Sequence, residues 1–174
     1  MTRNSLKSAG AAFAFLLVIL GGFEGLRLVG YNDIAGVPTY CYGKTGPEAI
    51  VGKLYPRELC EDLLSEEGMK YWEAVDRRVK SAMTLWQWVA VTSWTYNFGE
   101  GALMKSTLLK LANQGDWLGA CHELPKWNKA RKGRGGALVV VWGLVKRRTI
   151  EMFICRGYIF DIEYSPNHRP GPPR

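Results

Sequence analysis

Two acidic residues, Glu24 and Asp33, stand with eight residues between them, and Thr39 follows after five more. Glu24 closes an apolar run, whereas Asp33 lies among Gly30, Asn32, Gly36 and Pro38, which favour a turn and a short hairpin over a helix. The two carboxyls therefore occupy different surroundings. Acid/base chemistry on a glycosidic bond needs that asymmetry, with one carboxyl kept protonated in an apolar setting and the other left ionised in a polar one. Thr39 adds a hydroxyl nearby. Spacing alone also fits two solvated surface carboxylates, so the elements that would position them carry the next step.

Ahead of Glu24, Arg3 and Lys7 precede sixteen uncharged residues, 8–23, of which Ser8, Ala9, Gly10, Ala11, Ala12, Ala14, Gly21 and Gly22 are small. A bilayer needs roughly 20 apolar residues. The large ones, Phe13, Phe15, Leu16, Leu17, Val18, Ile19, Leu20 and Phe23, would gain only about 2.5 to 5 kcal/mol gross on the insertion scale, so insertion is marginal. A cleaved signal peptide fits the basic start, but no A-x-A site follows Leu20, and cleavage near Gly22 would leave Glu24 at a frayed terminus. A buried helix of a soluble protein has the right length but is apolar all round. The preferred reading is an uncleaved signal anchor over residues 1–23.

Behind the hairpin region, Pro56, Glu58, Leu59, Leu63, Trp72, Val75 and Val79 predict a helix over about 56–79, broken at Gly68. Residues 83–98, uncharged and carrying Trp86, Trp88, Trp94, Tyr96 and Phe98, read as the central buried helix and are too short for a second membrane span. Gly99 ends it. A further helix runs from Ser106 to Gly115, and Asp116 caps a short one through Leu124. Residues 125–136 are basic and Gly-rich, a solvated loop or anionic-substrate contact in preference to a nucleic-acid patch. The final helix is predicted over 137–157, and residues 161–174, with four prolines, form a disordered tail. The sum is an α+β domain over 24–160, a small hairpin region beside a mainly helical lobe with a cleft between them.

A chain of 174 residues with net charge +7 and pI near 9.3 suits one domain attracted to polyanions, whether nucleic acid, anionic lipid or the phosphate-bearing envelope of a bacterial wall. Cys41, Cys60, Cys121 and Cys155 form no CxxC pair, and only two histidines accompany them, which argues against a structural zinc; neither a metal nor a cofactor is implied. Two disulfides in an oxidising compartment are preferred over four free thiols. Of three connectivities, Cys41 with Cys60 and Cys121 with Cys155 is favoured. Cys41 shares a strand face with Thr39 and Gly43, Cys60 lies on the next helix, and Cys121 and Cys155 both sit on late helices.

The stretch Glu24-Gly25-Leu26-Arg27-Leu28, Tyr31, Asp33, Gly36, Thr39, Gly43 and Thr45 resembles the active-site segment of phage-type lysozymes, glycoside hydrolase family 24. Asn97-Phe98-Gly99, Ser106-Thr107-Leu108-Leu109, Pro125-Lys126-Trp127 and residues 143–151 look like later signatures of that family, and the likeness extends over about 24–158. It implies a lysozyme-like fold in which Glu24 is the general acid, Asp33 positions or deprotonates the attacking water and Thr39 helps hold that water. The bond cut would be the β-1,4 link between N-acetylmuramic acid and N-acetylglucosamine in peptidoglycan. Asn97, Ser106 and Trp127 would contact substrate, with capping and core packing as the equal alternative. Lys44 departs from the pattern, standing where many members have His.

Residues 8–23 resemble the signal-arrest-release segments of certain phage endolysins. That likeness implies export through the Sec translocon, a transient hold in the host inner membrane facing the periplasm, and release of an active monomer that lyses the cell, with no nucleic acid as partner. Two rivals remain: a non-enzymatic membrane-disrupting or membrane-anchoring protein, and a lytic transglycosylase. Asp33 argues for hydrolysis, because a water-activating carboxylate is useful only when water is the nucleophile. Attack by such a water predicts inversion, with carboxyls about 6.5 to 9.5 Å apart.

Overall fold

A computed structural model describes residues 3–33, 35–131 and 136–158, with side chains from residue 10 onward. The expected tail over 161–174 lies outside the described residues. Helix α1 (Arg3–Glu24) leads into a three-stranded antiparallel sheet, β1 (Arg27–Asn32), β2 (Pro38–Cys41) and β3 (Lys44–Thr45), in the order β1-β2-β3. Then follow α2 (Arg57–Arg78), α3 (Leu85–Phe98), α4 (Glu100–Lys105), α5 (Thr107–Asn113) and α6 (Trp117–Glu123). A 3-10 turn (Leu124–Lys126), the hairpin β4 (Lys129–Arg131) and β5 (Leu138–Val140), and α7 (Trp142–Cys155) complete the chain. The mostly helical architecture with small antiparallel sheets matches the α+β expectation.

Helix α3 is the axis of the helical lobe. Its apolar sequence lets every residue from Val89 to Thr95 be buried, with α1, α2 and α7 packed around it. A capping box fixes its start, Thr84 accepting from the Gln87 amide while the Gln87 side chain accepts from the Thr84 amide. Helix α1 contributes Ala12, Leu16 and Leu20, one stripe at a spacing of four, to the same core. Val18 on the opposite side is exposed. Among the described residues no helix is long and apolar enough to cross a membrane.

A second, smaller core of Tyr40, Cys41, Ala49, Tyr55 and Cys60 sits under the sheet, and Tyr42 packs against both cores and joins them. Gly30 is obligatory here. A Cβ on it would lie 2.1 Å from the Ile50 carbonyl oxygen, and its amide donates to Lys53 O at 2.9 Å, so the 50–53 loop rides directly on β1. The disulfides join Cys41 to Cys60, tying β2 to α2, and Cys121 to Cys155, tying α6 to α7. Both pairings are the favoured ones.

Three boundaries differ from expectation. Helix α2 runs unbroken through Gly68, because the glycine serves a contact: a Cβ there would meet Leu17 Cδ2 at 3.2 Å, so the missing side chain lets α1 pack closely on α2. Residues 100–105 form α4 instead of a plain connection, its N-terminus held by the Ala102 and Leu103 amides donating to Gly99 O. The final helix begins at Trp142 and not at 137, because Leu138 and the β-branched Val139 and Val140 pair with residues 129–131 as a hairpin first.

Candidate active site

Glu24 is the last residue of α1, and Gly25, at φ 72°, ends the helix and turns the chain into β1. The apolar setting expected for this carboxyl is replaced by an ion pair. Glu24 Oε1 accepts from Arg147 Nη1 at 2.7 Å, reaching across the lobe from α1 to α7. Sequence spacing could not foresee this, since the partners are 123 positions apart. Arg147 is itself locked: Nε donates to Glu151 Oε1 at 3.2 Å, Nη2 donates to Ser93 O at 3.1 Å, and the guanidinium lies 4.7 Å from the centre of the Phe23 ring. The Glu24 side chain remains 24% exposed, enough to face a substrate.

Asp33 sits at the turn between β1 and β2. Its Oδ1 accepts from the amides of Ala35 and Val37, each at 2.8 Å, while its own amide donates to Val37 O at 2.9 Å. The aspartate is therefore built into the turn that carries it, which is the local preference of Asp at such positions. Thr39, opposite Tyr31 in the β1–β2 register, is buried and donates its hydroxyl to the same Val37 carbonyl at 2.9 Å. The Val37 peptide unit thus brings Asp33 and Thr39 together.

A small concavity where the sheet meets the helical lobe is lined by Tyr42, Lys44, Leu63, Glu67 and Tyr96, and Glu24, Asp33 and Thr39 are not among its lining residues. Burial pushes the Tyr96 phenol up, and the carboxylates of Glu67 and Glu24 push it further, so Tyr96 is a neutral phenol within the field of Glu24. Lys44 pairs with Glu67 at 3.4 Å, so the ammonium balances a carboxylate at the position that departs from the family pattern.

The other expected substrate contacts divide. Asn97 is exposed and its Oδ1 accepts from Arg148 Nη2 at 3.4 Å. Ser106 is buried, caps α5 by accepting from the Leu109 amide at 3.0 Å, and donates to Leu103 O at 2.8 Å, which commits its hydroxyl to the fold. Trp127 stands edge-on to Trp94 at 4.8 Å and tilted on Phe98 at 5.0 Å. Among the described residues no group of three or more His, Cys, Asp or Glu could hold a metal ion. Sequence reasoning missed Arg147 as the partner of Glu24 and Glu151 as the partner of Arg147. The available signal was Arg147 and Glu151 at a helical spacing of four on α7, in a helix that also carries Lys146 and Arg148.

Residues 21–151 match the phage lysozyme family. The chain is 36% identical over 162 residues to the SAR-endolysin of Bacteriophage PS119, covering 88% of this chain and 93% of that one. It is 37% identical over 132 residues to the SAR-endolysin of Escherichia phage Mu, covering 75% and 72%. Among solved structures, the endolysin from Escherichia coli O157:H7 phage FAHEc1 superposes with a TM-score of 0.74 at 32% identity, covering 84% of this chain and 92% of that one.

Proposed function

The chain belongs to the phage lysozyme family, and on that premise we propose that it is an endolysin that hydrolyses the β-1,4 bond between N-acetylmuramic acid and N-acetylglucosamine in peptidoglycan. The observation that carries this reading is the placement of Glu24 at the end of a packed helix, held by Arg147 and still open to solvent, with Asp33 and Thr39 fixed by one peptide unit on the strand pair that follows. In this reading Glu24 protonates the leaving oxygen. Asp33, tied by two backbone amides, orients and deprotonates a water, and Thr39 holds that water in line. Asn97 and Trp127 are proposed to contact the glycan, whereas the hydroxyl of Ser106 is already engaged in the cap.

The cellular part of the proposal is tethering and release. The relatives bearing the name SAR-endolysin and the marginal apolarity of residues 8–23 support a segment that first lodges in the host inner membrane after Sec export and then leaves it. Once in the periplasm, α1 packs its Ala12, Leu16 and Leu20 stripe on the lobe and delivers Glu24 to Arg147.

Digestion of purified peptidoglycan, with product mass analysis, tests the chemistry. Hydrated muropeptides with new reducing ends are expected, and Glu24→Gln should lose about 100- to 10,000-fold in rate. Products lighter by one water would identify a transglycosylase. Undiminished lysis by the periplasmic Glu24→Gln protein would leave only a membrane-disrupting role.

A further inference from the structure

Among the described residues, the charged side chains buried in the core are Arg147, Arg148 and Glu151, all on α7. The role proposed for Glu24 needs only the first. Glu151, with no exposed surface, directs Oε1 at three donors: Ser93 Oγ at 2.7 Å, Arg148 Nη2 at 3.0 Å and Arg147 Nε at 3.2 Å. Arg147 then turns Nη1 to Glu24. Two carboxylates and two guanidiniums thus share one low-dielectric cluster, and Glu24 is its solvent-facing member.

A general acid must carry a proton before it acts, and a cationic neighbour at 2.7 Å opposes that. Protonating Glu24 in a cluster holding only the arginines would leave two buried positive charges uncompensated. With Glu151 ionised, it leaves one. We propose that Glu151 is a positioning residue that sets the proton affinity of Glu24, by holding Arg147 in place and offsetting the positive charge that Arg147 and Arg148 direct at the catalytic carboxyl. The proposal rests on the reading of Glu24 as the acid.

Arg148 remains cationic at neutral pH, since burial lowers it only to about 10. Burial raises Glu151 above the ordinary carboxylate value, with the two guanidiniums and the serine hydroxyl acting in the opposite direction; the contacts of Oε1 with both guanidiniums are those of a carboxylate. The other groups acting near Glu24 lie on different elements. Tyr96 on α3 is neutral, Glu67 on α2 acts on the same phenol, and Lys44 on β3 is paired with Glu67. None of these contacts involves Glu151.

Two variants of the full chain separate charge from structure. Glu151→Gln keeps the shape and an acceptor but removes the negative charge; Arg148→Met removes a positive charge at similar volume. The readouts are the basic limb of the kcat/KM profile on peptidoglycan and a carbon-13 NMR titration of the Glu24 carboxyl without substrate. Glu151→Gln is expected to lower the Glu24 midpoint by about one pH unit, and Arg148→Met to raise it. A loss of packing would not move the midpoint in opposite directions. If Glu151→Gln fails to fold, a raised midpoint in Arg148→Met supports the proposal and an unmoved one overturns it. Unmoved midpoints in both variants, or shifts of the same sign, likewise overturn it. The titration needs no turnover, so such a result leaves the enzymatic reading intact as long as Glu24→Gln is inactive. Activity retained by Glu24→Gln would instead sink that reading, whatever the titration shows.

Discussion

Thr39 separates what a residue does for the fold from what it does for the reaction. Its hydroxyl donates to Val37 O, the carbonyl that also receives the Asp33 amide, and its side chain is buried. Thr39→Val removes one hydrogen bond in an otherwise isosteric side chain and should cost about 1 kcal/mol of stability, while, under the proposed water-holding role, loss of the hydroxyl should lower kcat at least about tenfold. Thr39→Ser should restore most of the rate, and equal kcat in the Val variant would remove Thr39 from the site. Glu100 gives a residue-scale test in pH. Hydrogen bonding from Arg78, with Arg77 adding its charge, holds this carboxyl below its ordinary value of 4.5. A depressed folded value means the contribution is complete above about 4.5 and fades as pH falls through the folded value. The Tm difference between wild type and Glu100→Gln should therefore be present at pH 6, diminish as the pH falls below about 4.5 and shrink in high salt; a constant difference would show that the pair is not its source. The residues legible from sequence were those whose neighbours in the chain define them. Asp33 announces a turn because it makes one, whereas the partner of Glu24 lies 123 positions away and nothing local points to it.

At the scale of elements, the close approach of α1 to α2 decides whether Glu24 arrives where it is needed. Gly68 makes that approach possible, with Leu17, Leu20 and Phe13 all within 4 Å of where a Cβ would be. Gly68→Ala gains helix propensity of about 1 kcal/mol, and the tightest neighbour, at 3.2 Å, is the flexible end of Leu17, so this variant should stay near wild-type stability. Gly68→Val adds methyls that have nowhere to go and should destabilise by about 1 to 3 kcal/mol, loosening α1. Urea denaturation and protease cleavage within α1 report the two effects. A Val variant as stable and protected as wild type would mean the notch does not govern docking. Leu20→Ala attacks the same interface by leaving a cavity and should cost about 2 to 5 kcal/mol. Sequence reading captured α2 by its apolar spacing after Pro56, α3 by its uncharged aromatic run and α6 by its Asp116 cap. It misread Gly68 as a breaker, since a glycine that serves a tertiary contact looks the same in sequence as one that ends a helix.

For the whole molecule, the proposed tethering and release require one segment to satisfy two solvents in turn. The apolar stripe of α1 that packs on the lobe is Ala12, Leu16 and Leu20, while Ala14, Val18 and Gly22 are exposed in the docked state. All-round apolarity, odd for a surface helix, makes sense if the outward residues serve a membrane-held state before docking. Membrane affinity and docking can then be changed separately. A Cβ at Gly22 meets nothing within 4 Å, whereas one at Gly21 would touch Tyr42 and Leu64, so Gly21 must be left alone. Ala14→Leu combined with Gly22→Leu should favour insertion by about 0.3 to 0.6 kcal/mol for each leucine, before counting the small residues they replace. The docked fold should be unaffected, because both side chains project away from the lobe. In cells the double variant should leave a larger share of protein in the inner-membrane fraction and delay lysis. The purified soluble form should digest peptidoglycan at the wild-type rate. Prompt lysis together with increased membrane retention would show that tethering does not restrain the enzyme. A slow purified enzyme would show that the substitutions had reached the active site through α1 after all.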